Sequence, residues 1–221
     1  MGPLAALVTL VSEEGGHLIV RLLLLLLLLG GPSWADRAQI GPNEFQAGIP
    51  SEQFVYFAAA ESAGRQRSQN WCWAACIQMV LNYHGLYVTQ EDIVRRVFGA
   101  TIDSPAGPQQ ILMALSGWAP DQRGGMAQIQ ADARNVDPVT VIQDLEYRWP
   151  LIVGLTDRQG QTGHAYVMTA VYYHVEPGSA PIIYRVVLRD PYPTRESRVE
   201  MSAQEFMARC TFMTRVHVLR S

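Results

Sequence analysis

One stretch constrains this chain more than any other: Gln66 to Gly85, QRSQNWCWAACIQMVLNYHG. It opens with polar loop residues and passes into an amphipathic pattern that predicts a helix from about Cys72 to His84. Ala75, Met79 and Tyr83 share one stripe, and Cys76 and Val80 the stripe beside it, so the helix is expected to be buried on most sides. Gly85 stands where a C′ glycine ends a helix. Cys72 then lies close to the first turn. Unpaired N–H groups and the positive end of the helix dipole meet there, and both favour a thiolate, the reactive form of cysteine. Gln66, six residues earlier in the loop, carries an amide able to donate to a developing oxyanion. Trp71 and Trp73 flank the thiol and would shield it from water.

Around this stretch the chain divides into parts. Its 221 residues are enough for one domain with a proper core. A formal charge of −3 gives no reason to expect nucleic acid as a partner. There is no lysine, so every fixed positive side chain is arginine, which reads as compositional bias. Arg21, the run Leu22 to Leu29, Gly30-Gly31-Pro32 and Ser33-Trp34-Ala35 have the layout of a secretory signal, so residues 1–35 are expected to direct export to the periplasm or the medium. The leucine run alone is shorter than the roughly 20 apolar residues a permanent span needs. With Leu18 to Val20 it lengthens, which keeps an uncleaved anchor, and so a membrane contact, open. Glu13 and Glu14 do not suit a signal, and they point to translation starting near Val20. Residues 36–64 read as a lead segment or short pro-segment, with Phe54-Val55-Tyr56-Phe57 expected as a short strand. The catalytic domain is expected over 65–221.

Within that domain helical signals come first. Thr89 with Asp92 caps a second helix whose apolar face is Ile93, Val94 and Val97. Pro108 to Ser116 reads as a third, ending at Gly117. Asp137-Pro138 is an N-cap and N1 pair opening a helix to about Tyr147. From Pro150 the pattern becomes strand-like: Leu151 to Leu155, His164 to Val175, Ile182 to Leu188 and Phe212 to Leu219, with a short helix capped by Ser202 and Glu205. Helices first and antiparallel strands second is an α+β layout.

A thiol nucleophile needs a base and a group to orient that base. His164 is the candidate base, because a histidine that begins a strand beside a glycine turn, Gly163, can point into a cleft. His84 lies at the far end of the nucleophile helix, about 18 Å from Cys72 at 1.5 Å per residue, out of reach. His174 and His217 are read as strand-end surface residues. Asp190, in Leu188-Arg189-Asp190-Pro191 at the end of the next strand, would accept the imidazole N–H and hold its tautomer. The plainer alternatives are a buried structural cysteine at Cys72 and a simple Asp-Pro turn at Asp190. Cys72 and Cys76 do not have C-x-x-C spacing, and no close histidine or second pair completes four ligands, so no metal or other cofactor is expected. Cys76 and Cys210 are then left either to form a disulfide or to remain two buried thiols.

Gln66, Cys72, Trp73 and Ala74 resemble the active-site segment of papain-like cysteine peptidases. There a glutamine six residues before the nucleophile helps form the oxyanion hole, and Cys-Trp-Ala opens a long helix. NWCWAAC followed by QMVLNY and glycine resembles small bacterial members of that family, some close to bacteriocin-processing (C39-like) peptidases. The glycines and second cysteine just before the papain nucleophile are missing here. The resemblance implies a helical half carrying the cysteine and a β half carrying the histidine. It implies a glycine-histidine pair before an apolar strand, and Asp-Pro where papain has asparagine. The expected activity is hydrolysis of peptide bonds through a thioacyl-enzyme, with a Cys72–His164–Asp190 triad, Gln66 in the oxyanion hole and a peptide or protein as substrate. Two rivals remain: another papain-like or transglutaminase-like amidase or acyl transferase, and a papain-like module that binds a peptide without cleaving it.

Overall fold

In chain order the elements are β1 (Arg37–Gly41), β2 (Glu44–Gly48), α1 (Ser51–Ala58), α2 (Cys72–Tyr83), α3 (Gln90–Phe98), α4 (Pro108–Ala114), β3 (Gly117–Pro120), β4 (Met126–Ala133), α5 (Pro138–Glu146), β5 (Leu151–Leu155), β6 (His164–His174), β7 (Ile182–Arg189), β8 (Arg198–Ser202), α6 (Ala203–Arg209) and β9 (Cys210–Arg220). The structure is a computed structural model. It describes residues 37–58, 64–121, 123–157, 159–160 and 163–220, all within the unit Ala35–Ser221. The expected signal over residues 1–35 lies outside them. Among the described residues no helix is long and apolar enough to cross a membrane.

The architecture is α+β, with the nine strands joined in one antiparallel sheet. Its path runs β1-β2-β6-β5-β9-β4-β3, with β7 on β6 and β8 on β7. β6 is the hub. Met168 pairs with both Leu151 of β5 and Leu188 of β7, and Tyr172 with both Gln46 of β2 and Arg185 of β7. β5 and β2 therefore share one edge of β6, end to end, and β7 takes the other.

Alternation along β5 and β6 places the core on both faces of the sheet. Ile152, Ala165 and Val167 pack with Trp73, Cys76, Ile77 and Val80 of α2. Leu151, Val153, Leu155 and Met168 pack with Val141 and Leu145 of α5 and Phe206 of α6. Helix α2 is buried along nearly its whole length, from Trp73 to Leu81, as its two apolar stripes predict. The Thr89, Asp137 and Ser202 side chains accept from the backbone N–H groups of Asp92, Thr140 and Glu205, respectively, so all three N-caps form. Gly85 (φ 76) follows α2, as expected of a C′ glycine.

Three expectations are corrected, and a fourth point, left open in the sequence, is decided. Residues Phe54 to Phe57 are helical, within α1. Phe54 and Ala58 are fully buried while Val55 and Tyr56 are exposed, a spacing of four that suits a helix and not alternation. The buried ring of Phe54 meets Phe57 and Tyr83 at centroid distances of 5.8 and 5.3 Å. Second, strands do not all follow the helices. β1 and β2 bring the lead segment onto β6, and β3 and β4 intervene before α5. Third, His217 lies in the interior of β9, against Trp149 and Asp132, and not at a strand end. Fourth, of the two fates left open for Cys76 and Cys210, the structure has free thiols. Cys76 belongs to the core on one face of the sheet and Cys210 packs against the core on the other, so a bond between them would have to pass through the sheet.

Truncating Phe54 empties the aromatic cluster that holds α1 on α2. Phe54→Ala is expected to destabilise the protein by about 3–5 kcal/mol, whereas Tyr56→Ala stays within about 0.5 kcal/mol. Urea unfolding followed by far-ultraviolet circular dichroism checks both, and a similar loss for the two variants would contradict the burial pattern.

Candidate active site

The N-terminus of α2 and the first residue of β6 meet at a cleft. Helix α2 begins at Cys72, and its N-cap, Trp71, provides no side-chain cap. An indole has only a donor to offer, so the N-cap side chain does not compete for the first-turn N–H groups. The indoles are used elsewhere: Trp71 Nε1 donates to the Ile102 carbonyl at 2.8 Å and Trp73 Nε1 to the Ser104 carbonyl at 3.1 Å. Both rings are buried. They tie the 102–104 loop to α2 and so shape the cleft beside the thiol.

His164 reaches the site because β6 begins there, directly after Gly163. A Cβ added at Gly163 would meet nothing within 4 Å, so this residue borders open space in the cleft. His164 Nε2 lies 2.7 Å from Asp190 Oδ1. The imidazole shares the cleft with the Cys72 thiol and interacts with it electrostatically. Asp190 follows the last residue of β7 and is 2 % exposed. Its Oδ1 also accepts from the Tyr192 backbone N–H at 2.8 Å, and the Arg195 guanidinium lies 3.6 Å from Oδ2. Tyr166 sets its ring against the edge of His164, with centroids 4.7 Å apart.

The electrostatics follow from these contacts. Burial opposes ionisation of Cys72, but the His164 hydrogen bond and charge, with the backbone N–H groups of Ala165 and Trp73, outweigh it and lower the thiol pKa. Burial alone would depress the His164 pKa. The bonds to Asp190 and Cys72 overcome that and raise it to about 9. Burial likewise disfavours the Asp190 carboxylate, and His164, the Tyr192 N–H and Arg195 more than compensate, so its pKa is lowered. The three shifts favour the charged form of each group: thiolate, imidazolium and carboxylate. The other two cysteines differ. Burial pushes Cys76 well above the ordinary thiol value and raises Cys210.

Cys72 and His164 sit where two cavities join. One, of about 420 Å³, is polar and includes Gln66, Asp157, Tyr192, Arg195 and Arg209. The other, of about 280 Å³, is lined by apolar groups that include Trp73, Ile111, Ala165 and Phe212. Gln66 is 6 % exposed and borders the first cavity. Its Nε2 donates to the Ser68 and Gln69 carbonyls at 3.1 and 2.9 Å, and its buried Oε1 has no hydrogen-bond partner. The four residues singled out in the sequence, Gln66, Cys72, His164 and Asp190, are thus brought together at one cleft. Sequence reasoning missed the groups around Asp190, namely Tyr192, Arg195 and Tyr166. The run Asp190-Pro191-Tyr192 carried a usable signal for Tyr192, since a turn returns its own N–H groups toward the carboxylate that opens it. Among the described residues, no cluster of three or more His, Cys, Asp or Glu side chains is placed to hold a metal ion.

Residues 57–211 match the family described as papain-like cysteine protease AvrRpt2, over more than half of the chain. Among solved structures the chain is similar to a double glycine motif protease from an AMS/PCAT transporter, in complex with its leader peptide. The identity is 17 %, the TM-score 0.45, and the match covers 71 % of this chain and 89 % of that one. It is also similar to the peptidase domain of Streptococcus mutans ComA, at 16 % identity and a TM-score of 0.42, covering 71 % and 97 % of the two chains. No curated protein matches it.

Cys72 is expected to be the one readily alkylated thiol at neutral pH. Its iodoacetamide rate should fall only on the acid side, as the thiolate protonates, and persist above pH 9, because loss of the imidazolium leaves the thiolate in place. Peptide mapping of labelled protein across a pH series checks this. Dominant labelling of Cys76 or Cys210 in the folded protein would contradict it.

Proposed function

The chain belongs to the papain-like cysteine protease AvrRpt2 family and is a cysteine peptidase, and from that premise we propose that Cys72 is its nucleophile, His164 its acid–base group, Asp190 the residue that orients His164, and Gln66 an oxyanion donor. The observation that carries the reading is the placement of His164, whose Nε2 lies 2.7 Å from Asp190 Oδ1 while its ring shares the cleft with the Cys72 thiol and lowers that thiol's pKa.

The chemistry follows in balanced steps. The Cys72 thiolate attacks the scissile peptide carbonyl, forming a C–S bond and a tetrahedral oxyanion. That oxygen is stabilised by N–H groups at the start of α2 and by Gln66. In the free enzyme the Gln66 amide bonds two adjacent carbonyls, Ser68 and Gln69. For the amide to act on the oxyanion, one of its N–H groups turns from its carbonyl to the developing charge as the substrate binds. The intermediate collapses as the imidazolium gives its proton to the departing amine, breaking the C–N bond and leaving a thioester on Cys72. Neutral His164 then takes a proton from water. The hydroxide attacks the thioester, the acid departs and the ion pair is restored. Asp190 keeps the ring in one orientation throughout and stabilises its cationic form.

The same reading takes Leu22 to Leu29 and Ser33-Trp34-Ala35 as an export signal. Exported material is expected to begin at Asp36, and N-terminal sequencing checks this. Retention of the leucine run would make the enzyme an anchored one.

Turnover of an unstructured protein substrate should show two limbs with pH. It falls in acid as Cys72 protonates, and in alkali, near pH 9, as His164 loses the proton that the leaving amine needs. Asp190→Asn should move the alkaline limb down, because the neutral amide supports the imidazolium less. Cys72→Ala should abolish kcat and His164→Ala nearly so. Asp190→Ala should be worse than Asp190→Asn, since an amide oxygen still accepts from the imidazole. Gln66→Ala should lower kcat roughly 10²-fold with little change in KM. A folded Cys72→Ala that still cleaves would refute the assignment of the nucleophile.

A further inference from the structure

Gln90 opens α3 and is wholly buried, at 0 % exposure. Its side-chain amide faces the loop before the nucleophile helix. Oε1 accepts from the Arg67 backbone N–H at 3.0 Å, and Nε2 donates to the Arg65 carbonyl at 2.8 Å. Those two peptide groups lie immediately on either side of Gln66. The same Nε2 donates to Gln78 Oε1 at 3.0 Å. Gln78 sits on α2, six residues beyond Cys72, and in turn donates to the Val88 carbonyl at 2.9 Å. Gln90 therefore ties the Gln66 loop to the helix that carries Cys72. The β half holds the same loop from the other side. The Gln66 backbone N–H donates to the Pro191 carbonyl at 2.9 Å, and the Arg65 guanidinium donates to the Asp190 and Tyr192 carbonyls at 3.1 and 3.0 Å.

An oxyanion donor acts only when it is held near its productive place, within about 0.5 Å. The Gln66 side chain hangs on a loop, and loops hold such tolerances poorly unless their peptide groups are fixed. We propose that Gln90 is a positioning residue for the peptidase reaction: its buried amide, bonded to the peptide groups on both sides of Gln66, sets the Gln66 amide beside Cys72. The inference rests on the reading of Gln66 as an oxyanion donor. It predicts an effect on steps that pass through an oxyanion and none on reactions of the thiolate that do not.

The test compares two reactions of Cys72 in the full chain. Acylation by p-nitrophenyl acetate, read as the p-nitrophenol burst, passes through a tetrahedral oxyanion. Alkylation by iodoacetamide does not. Gln66→Ala is expected to slow acylation roughly 10²-fold and Gln90→Met, which only loosens that donor, roughly 10-fold, with alkylation within about twofold of wild type. In the Gln66→Ala background, Gln90→Met should slow acylation no further, because its effect runs through Gln66. A residue that only supports the fold would slow both reactions together, or act equally in both backgrounds, and either result overturns the inference. Wild-type acylation in folded Gln90→Met overturns it as well. If Gln90→Met does not fold, Gln78→Met removes the acceptor that steadies Gln90, together with the Gln78 bond to the Val88 carbonyl, and leaves the Gln90 bonds to residues 65 and 67 in place. It should slow acylation less, again with no further effect in the Gln66→Ala background, and an unchanged rate overturns the inference. Normal acylation in Gln66→Ala would end both the oxyanion assignment and this inference while leaving Cys72 as the nucleophile. A wild-type Cys72 that does not acylate would bring down the nucleophile assignment first.

Discussion

The contact between the Cys72 thiol and the His164 imidazole is the interaction on which the rest of the site depends. Neither ion is favoured alone in a partly buried cleft, because removal from water penalises charge. Each is stabilised by the other and by fixed groups behind it. The thiolate has the backbone N–H groups of Trp73 and Ala165. The imidazolium has Asp190, which is itself held by the Tyr192 N–H and Arg195. Burial opposes all three ionisations, and the partners outweigh it in each case. Removing one partner therefore disturbs more than one residue, which is the behaviour of coupled ionisable groups.

The fold serves this contact by placing the end of one helix against the beginning of one strand. Helix α2 packs on the sheet through Trp73, Cys76, Ile77 and Val80, against Ile152, Ala165 and Val167. Ala165 directly follows His164, so the packing that seats α2 also sets the distance between the reacting groups. Residues 65–67 supply a second tie. They bond the Asp190-Pro191-Tyr192 turn on one side and Gln90 on the other. Asp190 and the Gln66 loop are thus parts of one hydrogen-bonded unit.

Local signals were the legible ones. Thr89, Asp137 and Ser202 cap their helices through bonds that span three residues, and such bonds are written in adjacent sequence. The Leu151–Leu155 strand was legible as a continuous apolar run, because both of its faces are covered. Phe54 to Phe57 misled, since three aromatics and a valine carry strand propensity, whereas the Phe54 N–H donating to the Pro50 carbonyl and contact with Tyr83 make the segment helical. β4 went unread because its buried positions are Ala127 and Ile129 among glutamines. Its strand character comes from pairing with β9, far along the chain. The lead strands β1 and β2 depend in the same way on β6.

The sequence by itself determined the candidate reacting groups: a cysteine at the start of an amphipathic helix, a histidine at the start of an apolar strand, an aspartate at the end of the next, and a glutamine six residues before the thiol. Each is a statement about one residue and its immediate neighbours, where backbone periodicity and capping decide the outcome. Only the tertiary structure decided what those groups face. It placed Asp190 behind His164, turned the Gln66 amide onto its own loop and set Gln90 beneath it. It also joined Arg65 to the carbonyl of a residue 125 positions away. Such contacts depend on the relative placement of packed elements, and no local pattern in the chain encodes that distance.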